Sequence, residues 1–272
     1  NIMKYFKSEI LSERVIRIIE LGGVCCYLVI GDKKACLLDT GSGYGNIKEY
    51  VDTLTDKPVF VILSHAHYDH MGGAALFEDV YIILEDLPVF RKLGDMTTRY
   101  EDAQRIPETK TIPYSDMIPT RMKPMKGIKN GDIFDLGNVH IQMISVSGHT
   151  PGMMCPLIQE ERTIIFGDAC GVSVLLFDEY SSCVSEYLKS LEVLKTYEND
   201  YDTIYRNHGT FFSEKSLLDN VIECCHLILT NQDDHIPVEF HHYHLYAAKE
   251  TNEFHRIDGK EGNILYSLDK AK

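Results

Sequence analysis

Four side chains that can bind a metal ion lie within six residues, in the segment Ser64-His65-Ala66-His67-Tyr68-Asp69-His70. An apolar run at residues 58–63 precedes this segment and predicts a buried strand. Residues i and i+2 of an extended segment point the same way, so we expect His65 and His67 to hold one ion. Asp69 and His70 come where the chain turns toward a stretch of small residues, and they could hold a second ion. The segment therefore predicts a metal site at the end of this strand.

The same segment has the pattern H-x-H-x-D-H and resembles the signature of the metallo-β-lactamase-fold hydrolases, in particular their glyoxalase II-like and lactonase-like branch. This resemblance runs from about Arg14 to about Gly209. The family also has a later His, a bridging Asp and a final His, each at the end of a strand. Three segments match these positions in the same order: Gly148-His149-Thr150-Pro151-Gly152, Phe166-Gly167-Asp168 and Asn207-His208-Gly209.

The resemblance implies a dinuclear metal site. The first ion would be bound by His65, His67 and His149. The second ion would be bound by Asp69, His70 and His208, and Asp168 would bridge the two ions. Imidazole and carboxylate groups suit Zn²⁺, so we expect two zinc ions, with iron or manganese as alternatives. Asp69 and Asp168 are the residues expected to act in catalysis, and Asp39 and Ser64 are expected to orient ligands by hydrogen bonds.

Such a site can perform hydrolysis without a nucleophilic Ser or Cys. Two cations roughly 3.5–4 Å apart can share a water and lower its pKa from about 15.7 toward 7. The resulting metal-bridging hydroxide would attack a carboxylic ester, thioester or lactone, which is the expected substrate class. Two alternatives remain open: hydrolysis of a phosphodiester or phosphoester at the same site, and oxidation by a mononuclear iron centre similar to that of persulfide dioxygenases.

Strands and helices alternate along the chain, which predicts an α/β (α+β) architecture. The resemblance implies a four-layer αββα sandwich, the metallo-β-lactamase fold, in a single domain over residues 1–272. Two segments fall outside the family core: an insertion near residues 86–130 and a C-terminal extension near residues 239–272. The insertion is irregular and rich in Pro, which favours a position near the mouth of the active site.

The C-terminal extension is rich in His, Tyr and Phe, and residues 239–247 are predicted to form one of its strands. On such a strand His242 and His244 would share a face, where they could line a substrate pocket. Tyr44 lies between two glycines and could close over the metal site. We therefore expect a small-molecule substrate, bordered by the ligand loops and by these two additional segments.

Composition narrows the function classes. The chain has 272 residues, of which 44% are hydrophobic, enough for a large core. Its formal net charge of −14 argues against binding to nucleic acid or to anionic membranes. No window reaches the roughly 18 apolar residues of a membrane span, and the N-terminal residues lack the apolar region of a secretion signal.

The eight cysteines lie mostly within apolar runs, and none forms a C-x-x-C pair. This pattern is typical of reduced core residues and favours a cytoplasmic location. The insertion could also provide a subunit contact, so a homodimer is a further expectation.

Overall fold

The computed structural model of the chain describes residues 2–272. The chain divides into two compact units. The first unit runs to Met143 and includes Asn207–Gly209, and the second comprises Ile144–Arg206 and Thr210–Lys272. Both units combine strands and helices, which confirms the predicted mixed α/β class.

A seven-stranded sheet forms the centre of the first unit. Its strands lie side by side in chain order: β1 (Phe6–Ile10), β2 (Val15–Glu20), β3 (Cys25–Ile30), β4 (Ala35–Leu38), β5 (Val59–Ile62), β6 (Val80–Ile82) and β7 (Lys126–Gly127). The sequence predicts an antiparallel meander of three strands between Arg14 and Leu38, and strands β2 to β4 form it. Strand β1, which the sequence does not predict, pairs antiparallel with β2 as an additional edge strand. Strands β4 to β7 run parallel. All of β4 and nearly all of β3 are buried, as expected for strands with both faces covered.

The helices of the first unit are short: α1 (Ile47–Asp52), α2 (Tyr68–Met71), α3 (Leu87–Leu93) and α4 (Met96–Ala103). The Asn46 side chain caps α1 by accepting a hydrogen bond from the Glu49 N–H, and Asp95 caps α4 in the same way through Thr98. Helix α4 and strand β7 lie in the stretch of residues 95–130 whose structure the sequence did not predict. A hairpin of β8 (Ile133–Asp135) with β9 (His140–Ser145) follows, and β9 leads into the second unit.

The second unit contains the remaining elements: β10 (Met154–Ile158), β11 (Thr163–Ile165), β12 (Val174–Leu176), α5 (Val184–Lys195), β13 (Thr203–Tyr205), β14 (Phe212–Ser213), α6 (Ser216–Leu229), β15 (Ile236–Phe240), β16 (Tyr243–Ala247), β17 (Thr251–Asn252), β18 (His255–Arg256) and β19 (Ile264–Tyr266). Strands β14, β13, β11 and β10 lie side by side in that order, and β9 is the next strand beside β10. Apolar residues at helical spacing predict an amphipathic helix from Val184 to Tyr197. Helix α5 forms there and buries its apolar stripe from Val184 to Leu194. Together with α6, this stripe packs into the core of the unit.

A second, smaller sheet contains β12, β19, β16 and β15 in that order. It corrects the prediction of one strand over residues 239–247, because β15 and β16 form a hairpin there. The turn contains His241 and His242, and His241 has a positive φ of 54°. His242 therefore lies in the turn, and it does not share a strand face with His244.

The eight cysteine side chains occur as thiols, and seven of them are buried. The longest described helix, α6, has 14 residues. Over residues 2–272, no helix combines the length and the apolar character needed to cross a membrane.

Candidate metal centre

The ligand segment begins where strand β5 ends. His67 has an extended backbone and directly precedes α2, so His65 and His67 lie on the extended stretch between the strand and the helix. Their rings are 4.8 Å apart, in agreement with the expectation that alternate residues of this stretch face the same way. His65 is fully buried and His67 is half-buried.

Asp69, His70 and His208 come together in the first unit, with one ligand atom of each within 4.8 Å of the others. The Nε2 atom of His70 lies 3.3 Å from the Nε2 atom of His208. The Asp69 Oδ2 atom is 3.4 Å from the His208 Nε2 and 3.6 Å from the His70 Nε2. Two imidazole nitrogens and a carboxylate oxygen thus converge on one point, which is the donor set of a transition-metal ion such as Zn²⁺.

His208 is held in the first unit by its neighbour Asn207. The Asn207 side chain donates to the Cys25 carbonyl over 2.7 Å, and the Cys25 N–H donates to the Asn207 carbonyl over 2.9 Å. Both bonds are to strand β3. The distant segment that carries His208 is therefore fixed to the same sheet as the main ligand segment.

The carboxylate of Asp39 orients the ligand segment through hydrogen bonds to Ser64 and His70. Asp39 is buried at the end of β4 and has a positive φ of 68°, a conformation that Asp tolerates better than most residues. It accepts hydrogen bonds from the Ser64 N–H at 2.7 Å and from the Ser64 hydroxyl at 2.8 Å. Its Oδ2 atom also lies 2.8 Å from the Nδ1 of His70.

These bonds determine which ring nitrogens face the candidate metal position. The Ser64 hydroxyl donates its proton to Asp39, so it accepts from the Nδ1 of His65, which is 3.0 Å away. The Nδ1 of His70 likewise donates to Asp39. Both rings then present Nε2 with a lone pair, the arrangement that a histidine ligand requires. The network includes Asp39 and Ser64, the two residues that the sequence predicted to orient the ligands.

The second unit places His149 beside Asp168. The Nδ1 of His149 donates to the Leu175 carbonyl over 2.9 Å, and its Nε2 lies 3.6 Å from the Asp168 Oδ2. Tyr187 of α5 supports both sides of this pair. Its hydroxyl donates to the Ala169 carbonyl over 2.5 Å, and its ring leaves no room for a β-carbon on Gly148, which would lie 2.5 Å away.

Two buried carboxylates lie near the ligand segment, and the sequence pattern does not predict either of them as part of the site. Asp86 is fully buried and accepts a hydrogen bond over 2.8 Å from the N–H of Ala66, the residue between His65 and His67. Glu20, at the end of β2, accepts from the N–H of Ser42 at 3.0 Å and from its hydroxyl at 2.6 Å. A carboxylate at the end of an apolar strand is the only sequence signal for Glu20, and it is a weak one.

Glu20 supports the loop that follows Asp39. In this loop the Thr40 N–H donates to the His70 carbonyl over 2.7 Å, and the Gly72 N–H donates to the Gly41 carbonyl over 2.8 Å. The loop is therefore bonded to His70 itself and to Gly72, just after α2. Burial raises the pKa of Glu20 to about 7, although the hydrogen bonds from Ser42 oppose this shift.

The insertion contacts the ligand segment within the first unit. Arg99 of α4 is buried and donates to the carbonyls of Ser42, at 3.2 Å, and Gly43, at 3.4 Å. Asp102 forms a hydrogen bond with Tyr68, which lies between His67 and Asp69, and burial raises the pKa of Tyr68. Residues 95–103 therefore form part of the support of the ligand segment.

The three predicted pocket residues occupy different environments. Tyr44 is 2% exposed, and its hydroxyl accepts a hydrogen bond from the Gly22 N–H over 2.7 Å. His242 is exposed in the β15–β16 turn and lies against the Tyr243 ring, with centroids 4.1 Å apart. His244 is exposed on β16, with its Nδ1 2.5 Å from a Glu239 carboxylate oxygen.

Comparison with known proteins agrees with these features. Residues 19–201 match the family model of the metallo-beta-lactamase superfamily. The chain is 26% identical to a putative transcription factor, avaE, of Aspergillus versicolor, over 54% of this chain and 43% of that protein. It is 25% identical to the acyl-coenzyme A thioesterase MBLAC2 of Gallus gallus, over 62% of this chain and 65% of the relative. The chain thus spans less than two thirds of the length of either relative.

A solved structure, the metallo-beta-lactamase FIM-1 of Pseudomonas aeruginosa in its mono-zinc form, matches 82% of this chain and 96% of its own length with a TM-score of 0.58. At 13% identity this likeness shows the fold alone. The family match covers more than half of the chain and confirms the resemblance drawn from the H-x-H-x-D-H pattern. The chain therefore belongs to the metallo-beta-lactamase superfamily and has its fold.

Proposed function

We propose that this protein is a metal-dependent hydrolase of carboxylic thioesters and esters, including lactones, which are cyclic esters. The observation that carries the proposal is the convergence of Asp69, His70 and His208, with His70 oriented by Asp39. The similarity to an acyl-coenzyme A thioesterase supports the thioester as substrate. The expected substrate is a small molecule.

We further propose that the protein binds two zinc ions through seven ligands. These ligands are assigned because they follow one another along the sequence in the same order as the ligands of the family. The proposed ligands are those given for the sequence: His65, His67, Asp69, His70, His149, Asp168 and His208. When bound, such ions supply Lewis acidity toward a carbonyl oxygen and lower the pKa of a bound water. The composition of the Asp69, His70 and His208 group supports zinc, since imidazole and carboxylate are its usual ligands besides thiolate.

The protein's own residues contribute by fixing the ligands before substrate arrives. Asp39 and Ser64 set the rings of His65 and His70 so that both present Nε2. Asp86 restrains the backbone at Ala66, between the first two histidines. Because rigid ligands lose little freedom on binding, this support favours both metal affinity and a defined geometry for catalysis.

The thiol state of the cysteines supports a reducing compartment such as the cytoplasm. Seven of these thiols are buried, and burial raises the pKa of Cys155, Cys170 and Cys225, among others. Thiols with raised pKa values carry little thiolate and are poor nucleophiles. These cysteines are therefore assigned to the core and not to catalysis.

The proposal is tested by offering the purified 272-residue chain a thioester, a carboxylic ester, a lactone and a phosphodiester. We expect turnover of the thioester and the ester, loss of this turnover with a chelator, and its recovery when Zn²⁺ is added back. His70→Ala should lose activity because it removes a ligand, whereas His226→Ala, which removes an exposed histidine of α6, should not. Turnover of the phosphodiester alone, or activity that survives complete chelation, would overturn the proposal.

A further inference from the structure

The small sheet of the second unit has two different faces. Because side chains alternate along a strand, the register of β12, β19, β16 and β15 assigns every residue to one face. One face packs into the core of the unit through Val174, Leu176, Ile264 and Tyr266. No residue of the opposite face belongs to that core cluster.

This opposite face is apolar at every strand position. Its residues, from β12 to β15, are Leu175, Leu265, Tyr243, Leu245, Ala247, Ile236, Val238 and Phe240. We call it the apolar sheet face. Leu245 and Ala247 are buried at its centre, while the other six positions keep part of their surface accessible. An accessible apolar patch of this kind is typical of a surface that binds an apolar ligand.

Aromatic rings extend the apolar sheet face at one end. Phe177, just after β12, contacts Phe240 with ring centroids 5.6 Å apart and Tyr243 with centroids 4.6 Å apart. Tyr243 is 39% exposed, and the two phenylalanines are half-buried. The three rings form a platform next to the β15–β16 turn.

The apolar sheet face is continuous with a proposed metal ligand. The Leu175 carbonyl accepts the hydrogen bond that orients His149, over 2.9 Å. The side chain of the same residue belongs to the apolar sheet face, and Phe177 follows two residues later on the same side. A ligand lying on this face would therefore begin beside the backbone that holds His149.

We propose that the apolar sheet face binds the acyl chain of the substrate, so that the enzyme prefers thioesters of medium or long chains. This inference rests on the proposed hydrolase function and specifies its substrate. The face presents no charged side chain at its strand positions, which suits a hydrocarbon chain and not a polyanion. Strands about 4.8 Å apart make a four-stranded face about 14 Å wide, comparable with a medium-length acyl chain.

The test uses acetyl, hexanoyl and dodecanoyl thioesters of N-acetylcysteamine, a neutral thiol that adds no charged group. We expect kcat/KM to rise along this series, by up to about fourfold for each methylene that becomes buried. Phe240→Ala should lower kcat/KM for the dodecanoyl thioester about 10-fold or more and leave the acetyl thioester nearly unchanged, because only the long chain reaches this residue. Phe254→Ala, which removes an exposed phenylalanine elsewhere in the C-terminal extension, is the matched control and should alter neither substrate.

Binding of decanoate, measured by calorimetry on the same protein and on both variants, gives a second readout that needs no turnover. Equal kcat/KM for acetyl and dodecanoyl thioesters, with Phe240→Ala acting equally on both, would overturn the acyl-chain site and leave the hydrolase function standing. Decanoate binding that Phe240→Ala weakens, without hydrolysis of any thioester, would support the chain site and overturn the proposed reaction. Absence of decanoate binding together with absence of chain-length dependence would overturn the acyl-chain site.

Discussion

Replacement of Asp168 by alanine is expected to remove most hydrolytic activity and to lower the metal content of the purified protein. Asp168 is the proposed bridging ligand, and its two oxygens can bind two cations, so its loss affects both. The loss should exceed the roughly 10–100-fold that removal of a hydrogen-bonding partner of a ligand typically costs. Steady-state kinetics and elemental analysis on one preparation measure the two effects.

Ser64→Ala is the matched comparison for this experiment, because Ser64 bonds to His65 and Asp39 without being a proposed ligand. It should keep its metal and lose activity only within that smaller range. Asp202→Ala, which breaks a surface ion pair with Arg162, should keep full activity. An Asp168→Ala protein with full metal content and full activity would show that Asp168 is not a bridging ligand.

Replacement of Glu20 by glutamine is expected to remove a pH dependence of the free energy of unfolding. Burial raises the pKa of Glu20 from 4.5 to about 7, so the folded protein keeps a proton there that the unfolded chain releases. This stabilisation is complete below about pH 4.5 and is lost as the pH rises through about 7. Over that window it amounts to about 3 kcal/mol.

The measurement is denaturant unfolding of chelator-treated protein between pH 5 and pH 8. The free energy of unfolding of the parent protein should fall relative to that of Glu20→Gln as the pH rises. Glutamine retains one oxygen for the Ser42 N–H, and its amide can donate to the Ser42 hydroxyl, so the fold should persist. Glu13→Gln, at an exposed position, should follow the parent at every pH. A constant difference between the parent and Glu20→Gln from pH 5 to pH 8 would contradict the assignment.

The main ligand segment was predictable because its signals are local. An apolar run of strand length precedes two histidines at i and i+2, and the structure places β5 directly before them. The amphipathic period of α5 was equally local, and that helix forms within two residues of the predicted end. Such patterns depend on side-chain direction along one element, which the sequence itself carries.

The structure of the insertion was harder to predict because its conformation depends on contacts with residues that are distant in the sequence. Arg99 is charged and lies in a polar stretch, yet it is buried because its guanidinium meets four backbone carbonyls, two of them in the loop after Asp39. No periodic pattern signals such contacts. The same reason explains why Asp86 and Glu20 were not recognised, since their burial and their hydrogen bonds arise only in the folded chain.

The β15–β16 hairpin was misread as one strand because its turn lacks the usual signal. Two-residue hairpin turns favour Asn-Gly or Asp-Gly, which tolerate positive φ, and here the turn contains His241 and His242. With histidines at these positions, the sequence pattern predicts one alternating strand instead of a hairpin. The turn places Phe240 opposite Tyr243, and this pairing forms the aromatic platform of the apolar sheet face.

The central claim is that this chain binds two metal ions, and elemental analysis of the purified chain tests it most directly. The protein is purified without added metal, analysed for transition metals per chain, and analysed again after incubation with Zn²⁺ and removal of the excess. We predict a stoichiometry that reaches two ions per chain and falls below two in the His208→Ala variant, because His208 completes the group with Asp69 and His70. A reproducible value of one ion per chain that added Zn²⁺ does not change would contradict the claim and would favour a mononuclear centre.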